Sequence, residues 1–521
     1  MIAPTLLAAA LAGAYLAWDP PSADLAAQTF RAELYAHEGF SVWNNAWYAG
    51  HHLPGYGLLS APLAAWLTPQ LVGAASAVAS AGLFGAIAHR RWGSRARAGV
   101  MWFAAATVLP LLSGRLAFAL GVALALAALL ALQRRRGVWA CALAVATTLA
   151  SPVAGLFLAI AGLAVAIARR PGIGSRAECA GGLGTALAAL ASIGLLALAF
   201  PVGGVEPFAA SAFWPVVGLC AAALVLLPGD ERVLRWGVAL YGLAAIALFS
   251  VDTAVGGNAT RLGALFAGPV LALALAGRRP VVLAVISIPL LYWQVSPAVR
   301  DVADADHDPS VERAFHLPLL ERLDSLVAGA PVRVHVVPTR NRWEAVHVAA
   351  RYPLARGWLR QAESEDFELF DDANLTEDAY LAWLRERAVS YVAVPQGVEL
   401  DYLGEDEAEL IAEGVPFLEE VWASDAWRLY RVTPEPPLVS TVESPSSAAP
   451  DARLAALGPD SFVLTAGAAG SYLVRVHHTR YWEVVEGDAC IEREGDWTRV
   501  EVTAPSVVKV RAELSLGGGG C

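Results

Sequence analysis

From residue 2 to residue 297 the chain alternates between long apolar runs and short polar turns, and every second turn is rich in arginine. Arg90, Arg91, Arg95 and Arg97 form one cluster and Arg134, Arg135 and Arg136 the next. Arg169, Arg170 and Arg176 follow, then Arg232 with Arg235, then Arg278 with Arg279. Arginine-rich turns stay on the cytoplasmic side of a bilayer, so each apolar stretch between two clusters must cross and return. Ala98 to Gln133 accommodates two helices of about 18 residues, with LLSGRLAF at the outer turn. Val138 to Ala168 gives two shorter passes of about 15 residues hinged at Ser151-Pro152. Together with Ile2–Trp18, Pro69–Ala88, Ala180–Phe200, Ala212–Leu227, Gly237–Val251, Leu262–Ala276 and Val281–Gln294, the pattern predicts a multi-pass α-helical membrane domain of eleven transmembrane helices over 1–297, with a long external loop at 19–68. An odd count with a cytoplasmic N-terminus puts the C-terminal part outside. Ile2–Trp18 also has the length of a cleaved signal peptide, but it lacks a basic first segment, and Asp-Pro-Pro is a poor cleavage context.

Beyond residue 297 the periodicity changes. Over 298–433, VRVHVVP, VSYVAVP and WRLYRV read as strands, while TEDAYLAWLRERA (with Thr376 as N-cap) and EDEAELIAEGV have helical spacing. This predicts an extracytoplasmic α/β module. A Pro- and Ser-rich linker follows at 434–455. SFVLTA, SYLVRVHH, YWEVVEG, TRVEVTA and VVKVRAEL then predict a β-sandwich-like module over 456–521.

Charge sharpens this division. The 521 residues are 56% hydrophobic with a mean hydropathy of +0.50 and a net charge of −11. Residues 1–297 carry 17 Arg against 9 acidic residues, about +8, and residues 298–521 carry 20 basic against 39 acidic, about −19. An acidic exterior argues against a nucleic-acid partner. Cys141, Cys179 and Cys220 lie in or beside spans, where they serve as small apolar fillers. Cys490 and Cys521, in the external half, are placed to form a disulfide, with GGGG letting the last residue fold back; a free C-terminal thiol or pairing with another chain is the alternative. No Walker, Rossmann or zinc-site pattern is present, so no cofactor is indicated and no metal ligand is assigned; a divalent metal is possible without support from a motif.

The external loop ADLAAQTFRAELYAHEGFSVWNNAWYAGHHLPGYGLL (23–59) carries more chemistry than a connector needs. Asp24 opens a helical pattern with Leu25, Phe30 and Leu34 on one face, as in a helix lying along a membrane surface. Asp24 is placed either to cap that helix or to present a carboxylate to a cavity, and the two roles can coexist. Trp43, Trp47 and Tyr48 suit an interfacial belt. The neighbouring His51, His52 and Tyr56 suggest a more constrained loop, and with Trp43, Trp47 and Tyr48 they are candidates for binding a sugar substrate.

An Asp shortly after the first span, in a long external loop with a surface helix, resembles the GT-C superfamily of membrane glycosyltransferases. WNNAWYAGHHLPGYGLLSAPLA is similar to the bacterial membrane family labelled 6-pyruvoyl-tetrahydropterin-synthase-related, whose label is no guide to chemistry. The short paired helices at LLSGRLAFALG and TTLASPVAGLF fit the same architecture. The resemblance implies an inverting transfer of a sugar from a polyprenyl-phosphate donor to an envelope glycan or glycolipid at the outer face of the plasma membrane. Asp24 would be the general base, with Asp19 as the fallback. The departing phosphate needs a cation, and only Arg31, Arg115 and Arg261 face outward in the membrane half. Arg261 follows Gly256-Gly257-Asn258, which permits close backbone approach but also reads as a plain turn. Headgroup snorkelling is the alternative for Arg115 and Arg261.

In the external half, Trp343, Arg356, Trp358 and Arg360 interleave aromatic and basic side chains suited to stacking on and binding an acceptor glycan, or to filling the core. Two rival classes are a lipid or glycan transporter (flippase) and a non-catalytic envelope scaffold. A transporter places ionisable groups near the bilayer midplane. Here the polar groups gather at the outer face, which favours interfacial chemistry.

Overall fold

A computed structural model describes residues 2–170, 175–201, 204–364, 368–370 and 374–514. The chain divides into two compact units, one of residues 1–36 with 55–306 and the other of residues 37–54 with 307–521.

The first unit is helical. In chain order it comprises α1 (Ile2–Trp18), α2 (Ala23–Glu38, whose last two residues fall in the second unit), α3 (Ser60–Leu67), α4 (Pro69–Trp92), α5 (Arg97–Ala106), α6 (Leu109–Leu112), α7 (Leu116–Gln133), α8 (Gly137–Ala150), α9 (Pro152–Ala168), α10 (Arg176–Ala199), α11 (Ala210–Leu226), α12 (Arg232–Ser250), α13 (Thr260–Leu275) and α14 (Pro280–Ala305). Each of the eleven predicted apolar runs is helical. Among the described residues, six helical segments are long and apolar enough to cross a membrane, or seven if the α1–α2 pair, bent by 80°, counts as one. These make the chain a membrane protein. The shorter apolar helices α8, α9 and α11 fall below that length. At a rise of about 1.5 Å per residue, 14 to 17 residues fall short of a hydrocarbon core of about 30 Å. Length and composition therefore do not yield the expected eleven crossings.

Local chemistry fixes the helix starts. Ser151 accepts from the Ala154 amide and breaks α8 from α9, with Pro152 supplying the first turn. Thr68 caps α4 and Ser175 caps α10. Small residues set the packing: a Cβ on Gly162 in α9 would meet the Gly182 carbonyl of α10 at 2.8 Å, an approach only small residues allow. An aromatic cluster of Phe84, Phe103 and Phe266 centres the bundle, with ring separations of 4.2 Å and 5.1 Å.

The second unit begins with a hairpin of β1 (Trp43–Asn44) and β2 (His51–His52). After α15 (Arg313–Val327) come β3 (Arg333–Val336), α16 (Glu344–His347), α17 (Glu377–Glu386), β4 (Val389–Pro395), α18 (Tyr402–Glu413), β5 (Leu418–Ala423) and β6 (Trp427–Val432). These strands form one sheet in the order β3-β4-β6-β5, parallel between β3 and β4 and antiparallel elsewhere. Thr376 caps α17 by accepting from the Ala379 amide, as its position predicts.

The remaining strands are β7 (Val439–Thr441), β8 (Ala452–Leu457), β9 (Ser461–Ala466), β10 (Gly470–His477), β11 (Trp482–Glu486), β12 (Ala489–Glu494), β13 (Trp497–Val502) and β14 (Ser506–Ala512). They make two antiparallel sheets, β12-β13-β10-β7 and β11-β14-β9-β8. The expected linker is therefore partly strand, because β7 pairs with β10 through Leu473 and its neighbours. Cys141, Cys179 and Cys220 are free. Cys490 is disulfide-bonded, and its expected partner Cys521 lies outside the described residues.

Candidate functional site

Three residues singled out by the sequence, more than ninety positions apart at the closest, meet in the helical unit. Arg115 precedes α7, in a turn that Gly114 makes with φ +69°. A Cβ at Gly114 would lie 2.3 Å from the Leu25 amide nitrogen, so this turn packs directly on the start of α2 and only glycine fits. Arg115 Nε donates to Asp24 Oδ2 at 2.9 Å. Arg261, at the start of α13, brings its guanidinium to 3.9 Å from the same oxygen. Asp24, Arg115 and Arg261 keep 23%, 30% and 16% of their side chains exposed, so the cluster is partly shielded but reachable.

Neighbouring groups complete it. Arg261 lies 5.8 Å over the Phe118 ring. Arg31 stacks 4.7 Å over Tyr56. On its other side Arg115 reaches Asp301 near the end of α14 at 3.8 Å. The sequence reading missed Asp301. It falls just beyond the predicted end of the last span, and nothing local marks it, because only the return of α14 to the α6–α7 turn gives it a partner.

Several expectations are revised. Asp24 is not the helix cap: α2 starts at Ala23, and the Asp24 carboxylate is in the first turn. Negative charge there still favours the helix. The α2 helix bends 80° from α1, and Leu25, Phe30 and Arg31 in its first half are buried. Asn258 sits in a short 3-10 turn leading into α13.

Most of the aromatic loop belongs elsewhere. Residues 37–54 join the second unit, and Trp43, Trp47, Tyr48 and His51 are 3%, 0%, 3% and 7% exposed. Trp47 donates to the Ala345 carbonyl and stacks on His51 at 5.5 Å. Tyr48 donates to the Leu359 carbonyl. Trp43 donates to Asn45, and His52 bonds with Thr479. These rings act as core, not as a membrane belt or a sugar platform, because the 37–54 segment supplies apolar volume that the second unit's own sheets leave open.

The aromatic and basic stretch of the α/β module is likewise internal. Trp343 is 9% exposed and stacks on His347, and Arg356 is 4% exposed. Trp358 is half-buried, and the Arg360 side chain lies outside the described residues. Arg356 and Arg342 clamp Glu363, with Arg342 at 3.0 Å. Arg342 also pairs with Asp401, and Glu407 accepts from Tyr380 and pairs with His335. Burial alone would raise the Glu363 carboxyl, but the two guanidinium groups hold it below its usual value. This network ties the β3–α17 connection to α18 and exposes almost no charge to a ligand.

Among the described residues, no group of three or more His, Cys, Asp or Glu is placed to hold a metal ion. No family model matches the chain, and no curated protein matches it. Among solved structures the chain is similar to an oligosaccharyltransferase of Archaeoglobus fulgidus, crystallised tethered through a disulfide to an acceptor peptide containing an NVT sequon. The two share 12% identity over 76% of this chain and 69% of that one, with a TM-score of 0.42. A superposition at that level carries no argument about common fold or chemistry.

Proposed function

We propose that the protein is a membrane glycosyltransferase of GT-C type, which moves a sugar from a polyprenyl-phosphate donor to an envelope glycan or glycolipid outside the plasma membrane. One observation carries this reading: a single carboxylate, Asp24, shared by two arginines at the end of the helical unit away from the arginine-rich turns. The reaction needs such a pairing of unlike groups. As the acceptor oxygen bonds to the anomeric carbon, its proton passes to the Asp24 carboxylate, and the bond from that carbon to the phosphate oxygen breaks. The charge left on the lipid phosphate is stabilised by Arg261 and Arg115. Arg115 holds the Asp24 carboxylate at 2.9 Å. A donor phosphate that draws the guanidinium groups away leaves Asp24 free to face the acceptor hydroxyl, and Asp301 offers Arg115 a second carboxylate.

A non-catalytic reading has support of its own, because the ion pair also locks α2 to the α6–α7 turn, where Gly114 packs on Leu25. Turnover separates the two. Purified protein in proteoliposomes would be given polyprenyl-phosphate sugars, and release of the lipid phosphate measured. Release by the wild-type protein that falls about a hundredfold or more in Asp24→Asn, with folding retained, supports catalysis. Equal release from both proteins rejects it.

A further inference from the structure

A cavity of about 700 Å³ runs through the helical unit between α4, α7, α9, α11, α12 and α13. Its walls are hydrocarbon: Phe84, Leu126, Phe157, Ala161, Val238 and Phe266 line it along most of its length. At one end it closes near Gly263 and Tyr241, whose hydroxyl is spent on the Ala259 carbonyl and the Gly263 amide, and no charged side chain borders it there. All its charged lining lies at the opposite end, among the arginine-rich turns: Arg91, Arg169 and Arg232 with Glu178, Asp230 and Glu231.

The acids at that mouth are already engaged by other arginines. Arg91 pairs with Glu231 at 3.3 Å, Arg278 with Asp230 at 2.9 Å and Arg135 with Glu178 at 3.4 Å. Arg169 and Arg232 form no ion pair among the described residues, although the charge of Arg169 also acts on Glu178. The mouth therefore carries surplus positive charge. The walls behind the mouth are hydrocarbon and match an acyl chain rather than a polar ligand.

We propose that this cavity is a lipid site, which takes one hydrocarbon chain of an anionic phospholipid inward from the arginine-bearing end and holds the phosphate at Arg169 and Arg232. Inside a bilayer a chain gains no hydrophobic free energy by leaving lipid for a protein groove, since both are equally apolar. The chain fills volume, and selectivity comes from the head group. On the positive-inside reading this end meets the cytoplasmic leaflet, where anionic lipids concentrate. The site is separate from the Asp24 cluster and does not depend on the transfer reaction.

The test uses delipidated, detergent-solubilised full-length protein and native mass spectrometry. Dioleoyl-phosphatidylglycerol and dioleoyl-phosphatidylcholine are titrated separately, with glycerol 3-phosphate as a chain-free competitor. A one-to-one adduct that prefers phosphatidylglycerol and resists glycerol 3-phosphate is expected. Arg169→Gln with Arg232→Gln, both outside the packed core, should weaken phosphatidylglycerol binding about tenfold and leave phosphatidylcholine unchanged. Gly237→Leu should weaken both lipids by filling the cavity, because a Cβ there has its nearest neighbour, Ala164 Cβ, at 3.8 Å. If that variant misfolds, the arginine pair decides the question alone. No preference between the head groups, equal binding by the arginine variants, or displacement by glycerol 3-phosphate would overturn the proposal. So would an adduct lost on Arg261→Ala but kept without Arg169 and Arg232, which would put the phosphate at the other end.

Discussion

Arg115 joins α7 to α2 by donating its Nε hydrogen to Asp24 Oδ2 at 2.9 Å, while its other guanidinium edge faces Asp301 at 3.8 Å. Neither carboxylate is near Arg115 in sequence, and no side chain of the three is more than about a third exposed. A double-mutant cycle of Asp24→Asn and Arg115→Gln should therefore give a coupling of about 1 kcal/mol or more in thermal unfolding, above the value for a surface pair. Additive single effects would show that the contact contributes nothing.

Gly114→Ala should be costlier than its size suggests. Its φ of +69° strains any Cβ by about 1–2 kcal/mol, and the new atom would lie 2.3 Å from the Leu25 amide. A lowered melting temperature with α2 more open to protease checks this, and an unchanged melting curve contradicts the packing.

Glu363→Gln leaves Arg342 and Arg356 buried without their shared counter-charge. Breaking a buried pair this way costs about 3–5 kcal/mol, so the second unit should unfold at clearly lower denaturant. Tryptophan fluorescence reads this directly, since Trp383 lies in that module's core.

Trp47→Ala should destabilise the same unit by about 3–5 kcal/mol, since the ring is fully buried and its indole N–H is bonded to Ala345. Urea unfolding of the full-length protein would report it. A loss below about 1 kcal/mol would mean that the 37–54 segment is dispensable to the core.

Stability should also fall in acid. Burial holds His316 down to about 4 and His477 down to about 3, against 6.5 for the free side chain. The unfolded chain therefore binds their protons first. Their contribution is fully present above pH 6.5 and is lost as pH falls through about 4 and about 3, at no more than about 1.4 kcal/mol per pH unit for each group. Glu344 runs the other way: burial pushes it up to about 7, so its ionisation costs stability as pH rises from 4.5 through about 7. Melting temperatures between pH 4 and pH 8 should show a shallower acid limb in His477→Gln and a flatter neutral limb in Glu344→Gln.

Much of the architecture was legible in the sequence, because the signals are local. Apolar runs broken by arginine turns marked the helices, Ser151-Pro152 marked the α8–α9 break, and short runs rich in β-branched and aromatic residues marked β4, β6 and β9. Local signals also drew attention to Arg115 and Arg261, as positive charges against the trend at outward-facing helix starts, and to Asp24, as a carboxylate opening a helix shortly after the first span. Their meeting was not legible, since it depends on the packing of α2, α7 and α13, and Asp301 had no local mark at all. β5, β7, β8 and β12 were missed because their pairing partners, not their own alternation, make them strands. The aromatic loop shows the limit most plainly. Its composition fits a membrane belt, a sugar platform or a protein core equally well, since each asks for large rings with a polar edge. Only the tertiary structure, by burying Trp43, Trp47 and Tyr48 among the strands of the second unit, decided that these rings are core.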